Sequence, residues 1–296
     1  MTTLDDRSSA LPGCEEAAGA SGAAIRFHYD LGASFYQLWL GSELTYSCAM
    51  FEEGDDLEAA QRRKIDYHAR QSGAVGARSV LDVGCGWGST MRRLVECHRV
   101  GRVTGLTLSR DQKSWIEARR PPRATALLEG WQQHEPGEPY DAILSIGAFE
   151  HFVRRELPRE RKVASYRHFF TRCREWLRPG GAMSLQTIAY GTLRPEQISP
   201  FITTAVFPES DLPFLGEIVD AARGLLEITR IRNDRSDYAR TCREWVRRLG
   251  AHREAAERIV GSARVADFER FLRMSAVAFE RGGLLLLRIT LRKGDD

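Results

Sequence analysis

A layered α/β fold, a seven-stranded and mostly parallel sheet with helices on both faces, is predicted by three features of this 296-residue chain. Short apolar runs alternate with helix-length segments from residue 79 onward, the pattern produced by right-handed crossovers between parallel strands. Val80-Leu81-Asp82-Val83-Gly84-Cys85-Gly86-Trp87-Gly88 passes from a buried strand through a glycine cluster into Met91-Arg92-Arg93-Leu94-Val95, where helical spacing resumes. Unusual residue clusters fall at the carboxyl ends of the strands, where sheets of this type bind ligands.

Taken in order, residues 1–24 combine acids with a Gly/Ala/Ser run and are expected to form a flexible tail, with no signal peptide or membrane span. Residues 25–75 read as an N-terminal helical cap. A polar-aromatic loop leads to a helix at 33–40, where Phe35, Leu38 and Trp39 share a face, and a helix at 57–73 is striped by Leu57, Ala60, Ile65 and Ala69. The first strand, 79–83, precedes the glycine loop. A second strand at 102–108 runs into Ser109-Arg110-Asp111-Gln112, an N-cap pattern. Strands follow at 124–128 and 140–146, then a helix at 160–177 and a fifth strand at 182–188. Residues 189–215 hold four prolines without clear period and read as a substrate lid. A helix at 214–223, a strand at 226–231, helices over 239–281 and a strand at 284–291 complete the domain, the last two strands pairing antiparallel at one sheet edge.

Composition narrows the function. With 43% hydrophobic residues the chain can bury a large core, and its net charge of +3 is spread among arginines that neighbour Glu and Asp. No basic stripe points to nucleic acid. Cys14, Cys48, Cys85, Cys97, Cys173 and Cys242 show no C-x-x-C pair or metal-ligand spacing, so reduced thiols, a cytoplasmic location and no metal are expected. No run of about twenty apolar residues occurs, which restricts any lipid contact to the periphery or to a pocket and leaves carrier-protein contact and homo-oligomer formation open. Glycines at 84 and 86 let backbone approach a ligand closely, and the next helix offers free N–H groups at the positive end of its dipole.

His28-Tyr29-Asp30-Leu31, Leu44-Thr45-Tyr46-Ser47-Cys48-Ala49, Leu81–Gly88, Ser145-Ile146-Gly147-Ala148-Phe149-Glu150-His151-Phe152 and Tyr238-Ala239-Arg240-Thr241 occur in order and at suitable spacings. In these runs the chain resembles the cyclopropane fatty acid synthase family, and most of all its mycolic acid cyclopropane synthase branch, over roughly residues 25–290. The resemblance implies a Rossmann-like class I methyltransferase using S-adenosyl-L-methionine, with methyl transfer to an alkene carbon through a carbocation. Carried over by position, it implies cofactor contacts from Tyr46, Ser47, Asp82, Gly84, Gly86, Thr107, Leu108, Gln112, Gly130, Trp131 and Ile146. It also implies that Cys48, Glu150 and Tyr238, with backbone near Gly147, hold a bicarbonate that removes a proton. Phe27, Tyr29, Phe35, Tyr46, Phe149 and Phe152 are the aromatic supply expected to stabilise the cation.

Two departures from the family pattern stand out. Gln186 replaces a histidine common in the fifth strand, and Ser236-Asp237-Tyr238 stands where Pro-His-Tyr is usual. Gln186 can donate a hydrogen bond to an anion but cannot carry charge. Asp237 would repel an anion unless an arginine such as Arg240 compensates. The segment after Ile188 is shorter than in the mycolic acid branch and Val153–Tyr166 is longer and charged, which points to an unsaturated small molecule as acceptor. Unsaturated acyl lipid and small-molecule N-methylation are the alternatives.

Overall fold

The computed structural model describes residues 19–295. Its sheet contains β1 (Ser79–Val83), β2 (Arg102–Thr107), β3 (Ala124–Leu128), β4 (Tyr140–Ile146), β5 (Leu177–Tyr190), β6 (Glu227–Asn233) and β7 (Leu284–Arg292). Their order is β3-β2-β1-β4-β5-β7-β6. The first five are parallel to one another, and β7 is antiparallel to both β5 and β6. Strand order reverses beside β1, so the ends of β1 and β4 open a crevice. Every residue of β1 is buried, as expected of a central parallel strand covered on both faces.

The helices are α1 (Gly22–Tyr29), α2 (Ala33–Leu40), α3 (Leu57–Gln71), α4 (Ser89–Cys97), α5 (Arg110–Arg119), α6 (Arg159–Trp176), α7 (Leu215–Ala222), α8 (Arg235–Ala251), α9 (Arg253–Val260) and α10 (Ser262–Glu280). One face of the sheet packs Ile143, Met183 and Leu185 against Phe169, Phe170 and Trp176 of α6. The other packs Val80, Val103 and Leu144 against Met91, Leu94 and Val95 of α4. A third core joins Phe35 and Trp39 of α2 to Trp245 and Leu249 of α8 and to Phe268 and Leu272 of α10. The N-terminal cap and the C-terminal helices therefore form one body. Among the described residues, no helix is long and apolar enough to cross a membrane.

Three local expectations are corrected. Residues 22–29 form α1 where the end of the tail and the start of a loop were expected, and Gly19 and Ala20 are held against the protein, the Ala20 N–H donating to the His151 carbonyl at 2.9 Å. So short a helix draws its stability from tertiary contacts, here His28 packed against Phe207 and Phe268. The remainder of the expected tail, 1–18, lies outside the described residues. β5 begins at Leu177, because Leu177 pairs with Tyr140 before a register shift brings Ala182 opposite Ala142. α8 begins at Arg235, which places Tyr238 within its first turns. As expected, the last two strands pair antiparallel at one sheet edge; β7 lies inside and β6 is the edge, where Arg230 and Arg232 are exposed, and charge on an edge strand discourages further pairing.

β7 carries Arg288, which is 1% exposed. It lies opposite Gln186 on one side and Arg232 on the other. Its Nε donates to Gln186 Oε1 at 3.0 Å, its Nη2 to the Ala49 carbonyl at 2.9 Å, and its Nη1 pairs with Asp234. Removing one member of such a network strands the rest. Arg288→Ala is expected to lower the unfolding free energy by roughly 2 to 4 kcal/mol, measured by urea denaturation.

Candidate functional site

Two cavities meet above the sheet. The larger, about 810 Å³, lies under residues 190–212 and against α8 and α10. The smaller, about 170 Å³, sits over the ends of β1, β2 and β4. Tyr29, Tyr46, Ser47, Gly147 and His151 line both.

The smaller cavity gathers Tyr46, Ser47, Asp82, Gly84, Gly86, Thr107, Leu108, Gln112, Gly130, Trp131 and Ile146, all the residues that the sequence assigned to a cofactor. Gly84 has φ of +80°, and a Cβ there would lie 2.5 Å from that of Ala148. Only glycine fits this turn. The Gly84 and Cys85 N–H groups both donate to the Leu106 carbonyl, at 3.0 and 2.9 Å, stitching the loop to β2. Ser109 caps α5 by accepting from the Gln112 N–H at 3.1 Å, and its hydroxyl donates to Asp30 beyond the end of α1. Thr107 donates to Gln112 Oε1 at 2.7 Å, so the Gln112 amide N–H groups remain for a ligand. Trp131 is 6% exposed and packs edge-on against Phe169, which makes it a wall anchored in the core.

Asp82 is 2% exposed, and its Oδ2 has no hydrogen-bond partner. Burial raises its pKa to about 7, with Lys64 opposing the rise. Lys64 comes from α3, where Gln61, Lys64 and His68 form a polar stripe on the buried face. Gln61 donates to the Ser47 carbonyl at 2.8 Å, and Lys64 donates to Ser47 Oγ at 2.7 Å. Desolvation lowers the Lys64 pKa to about 7, with the Arg288 charge acting in the same direction.

Glu150, Gln186 and Tyr238 line the larger cavity. Glu150 Oε1 accepts from the Ile188 N–H at 2.6 Å, while Oε2 is buried and unpaired. Burial raises its pKa to about 7, against opposing hydrogen bonds from the backbone of Ile188 and Glu150 and from Thr187. Arg288 Nε–H can only donate, so the oxygen of the Gln186 amide faces it. His68 Nε2 lies 3.3 Å from the same oxygen and its Nδ1 2.7 Å from Ser184 Oγ, so His68 donates to Gln186 and accepts from Ser184. The Gln186 N–H groups are left for the cavity. Cys48 is fully enclosed; its thiol donates to the Ala49 carbonyl at 3.1 Å, and burial pushes its pKa up to about 12. It is a neutral thiol behind the wall, 3.6 Å from Arg288 Nη2. Tyr238 stacks on Phe279 with ring centres 4.4 Å apart.

The structure redistributes the expected aromatics. Tyr29 and Tyr46 lie at the junction and Phe152 on the smaller cavity. Phe35 and Phe149 are packed in the cores, and Phe27 is half exposed beneath the Arg264 guanidinium. The larger cavity instead draws on Tyr190, Phe207, Trp245, Phe271 and Phe279, which helical and loop spacing did not distinguish from ordinary core. Arg240 does not compensate Asp237. It lies over the Phe51 ring at 3.9 Å and donates to the Asp55 carbonyl, whereas Arg288 is the principal cation acting on Asp237, whose carboxyl is raised chiefly by burial. His151 is neutral, lowered to about 4 by burial, with Nε2 3.2 Å from the Tyr29 hydroxyl and Nδ1 2.8 Å from Ser210 Oγ. Sequence reading missed Lys64 and His68, and the one available signal was polar residues at helical spacing on an otherwise apolar face.

Because Glu150 binds its proton more tightly when folded, its contribution to stability is full below the ordinary carboxyl value of 4.5 and is lost as pH rises through about 7. Glu150→Gln is expected to match wild type near pH 5 and exceed it by roughly 1 to 3 kcal/mol at pH 8, in urea denaturation at the two pH values.

The family model described as mycolic acid cyclopropane synthetase matches residues 18–289. Cyclopropane mycolic acid synthase MmaA2 of Mycobacterium tuberculosis is 35% identical over 291 residues, spanning 91% of this chain and 96% of the relative. The solved structure of MmaA2 superposes with a TM-score of 0.83 at 33% identity, covering 94% of this chain and 100% of that one. Mycolic acid cyclopropane synthase CmaA1 complexed with SAH and CTAB gives a TM-score of 0.83 at 33% identity, covering 93% and 99% of the two chains. With a cradle at the ends of β1, β2 and β4 opening onto an apolar chamber, and with this likeness along nearly its whole length, the chain belongs to the mycolic acid cyclopropane synthetase family of S-adenosylmethionine-dependent enzymes.

Proposed function

We propose that the enzyme transfers a methyl carbon to an alkene carbon of an elongated, largely apolar acceptor, for which an unsaturated acyl chain is the closest chemical match. The supporting observation is the shared wall: Tyr29, Tyr46, Ser47, Gly147 and His151 belong to both cavities, so a group held in one faces the contents of the other. When bound, S-adenosylmethionine supplies an electrophilic methyl on sulfur. Asp82, Gly84, Gly86, Tyr46 and Ser47 would hold its amino-acid end, Thr107, Leu108 and Gln112 its ribose, and Gly130, Trp131 and Ile146 its adenine side. The unpaired Asp82 oxygen and the Gly84 turn suit such a ligand.

Methyl transfer to an alkene leaves positive charge on the adjacent acceptor carbon. The faces of Tyr29, Tyr46 and Phe207 can stabilise that charge, and the apolar walls keep water from it. A proton must then leave. Its loss from the new methyl, with the C–H pair forming a carbon–carbon bond, closes a cyclopropane; its loss from a neighbouring carbon gives a methyl-substituted alkene. Glu150 is the group suited to receive it; the Gln186 amide N–H and the Tyr238 hydroxyl would hold a bicarbonate, which when bound would supply a further base.

A cavity of about 810 Å³ lies near the top of the range for small-molecule sites, which favours the acyl acceptor despite the short segment after Ile188. Such an acceptor would be delivered from a membrane surface or a carrier protein. A compact unsaturated molecule with polar groups is the second reading, favoured by Arg155, Gln197 and the Tyr190–Asp211 pair on the wall.

The test supplies methyl-labelled S-adenosylmethionine and a panel of unsaturated acyl chains and compact alkenes, with NMR of the product to separate a ring from a methylated double bond. Label on acyl chains is expected; label only on compact alkenes, or only on nitrogen, overturns the acyl assignment. Turnover should rise with pH through about 7 as Glu150 loses its proton. Glu150→Gln should lower it roughly 10²- to 10⁴-fold and abolish that rise.

A further inference from the structure

We infer that Lys64, acting with the Ser47 hydroxyl it anchors, recognises the carboxylate at the amino-acid end of the donor, opposite Asp82, which takes the ammonium. The inference deepens the reading of the smaller cavity as the donor site and rests on it.

Lys64 is 1% exposed and lines the smaller cavity together with Asp82 and Ser47. A buried ammonium is costly unless an anion meets it. Lys64 and Asp82 feel each other's charge, but the hydrogen bond Lys64 makes is to a neutral hydroxyl, Ser47 Oγ, at 2.7 Å. Since that ammonium only donates, Ser47 accepts with a lone pair and its own proton is free to point into the cavity. One side of the cradle thus offers donors and positive charge. Asp82 Oδ2, fully buried and without a partner, offers the reverse. An isolated anion or cation would satisfy one of the two groups and leave the other exposed to its burial cost. An α-amino acid moiety carries both complementary charges a short distance apart and meets both.

The placement also has a structural logic. Lys64 stands on α3, one turn after Gln61, which holds the Thr45 and Ser47 carbonyls at 3.3 and 2.8 Å. The helix therefore fixes the backbone of the Tyr46–Ser47 turn with one residue and the Ser47 side chain with the next. Ligand recognition at Lys64 would reach the wall shared with the larger cavity through a single hydrogen bond.

Calorimetry on the full chain with S-adenosylhomocysteine and with its decarboxylated analogue, which keeps the amine, tests the assignment. Wild type is expected to prefer S-adenosylhomocysteine by roughly 10- to 100-fold, the scale of one charge-assisted hydrogen bond. Lys64→Met should erase that preference, weakening S-adenosylhomocysteine by a similar factor while leaving the analogue within about twofold. Lys64→Arg should retain most of the preference. Equal weakening of both ligands in Lys64→Met marks a merely structural role and overturns the inference. So does a wild type that binds both ligands equally, a comparison that needs no variant to fold. Wild type that is folded by circular dichroism and binds neither ligand overturns the donor-site reading itself, and the assignment of Lys64 with it.

Discussion

A single buried guanidinium sets the constraint on which the rest of the site depends. Arg288 sits in β7 with no contact with water, and burial of such a charge is tolerable only when its donors are used. Its partners come from distant parts of the chain: Gln186 in β5, Asp234 before α8, and the Cys48 and Ala49 carbonyls in the turn that follows the cap helices. One side chain thus locks the inserted antiparallel strand, the start of the helix that carries Tyr238, and the turn that carries Tyr46 and Ser47. It also fixes which way the Gln186 amide points. A charged residue therefore stands behind Gln186, and it serves the chamber through the amide it orients.

α3 performs the corresponding task on the other side of the turn. Its apolar residues seat it against the body of the protein, and Gln61, Lys64 and His68 on the same buried face reach the Ser47 carbonyl, the Ser47 hydroxyl and the Gln186 oxygen. The junction of the two cavities is consequently built from backbone and side chains that are held at both ends. Burial then governs the electrostatics. Asp82 and Glu150 are raised toward neutrality, Lys64 is lowered, and His28, His68 and His151 are kept uncharged. A chamber with few settled charges and largely apolar walls suits chemistry that passes through a carbocation, because it places few nucleophiles beside the cation before its proton leaves.

The division between sequence and structure follows from the range of the interactions. Strand and helix positions, the Gly84 turn and the Ser109 cap are written in local patterns of period, glycine and capping residue, so the parallel half of the sheet and the residues at its strand ends were legible from the chain alone. Motif resemblance added the family and the identities of the residues gathered in the smaller cavity. The helix at 22–29 was not legible, since its stability comes from His28 and its aromatic neighbours elsewhere in the chain. Nor were the chamber's own aromatics, because Trp245, Phe271 and Phe279 look like ordinary helix core until the packing of α8 and α10 turns part of their surface toward a cavity. Arg288 carries no local mark of burial, and Lys64 and His68 carry only their helical spacing on an otherwise apolar face. Only the tertiary structure decided that these three polar residues would lie inside, because the partners that make their burial tolerable are supplied by segments distant in sequence, whereas hydrophobic period and turn chemistry act between neighbours and determined the strands of the parallel half, the Gly84 turn and the Ser109 cap.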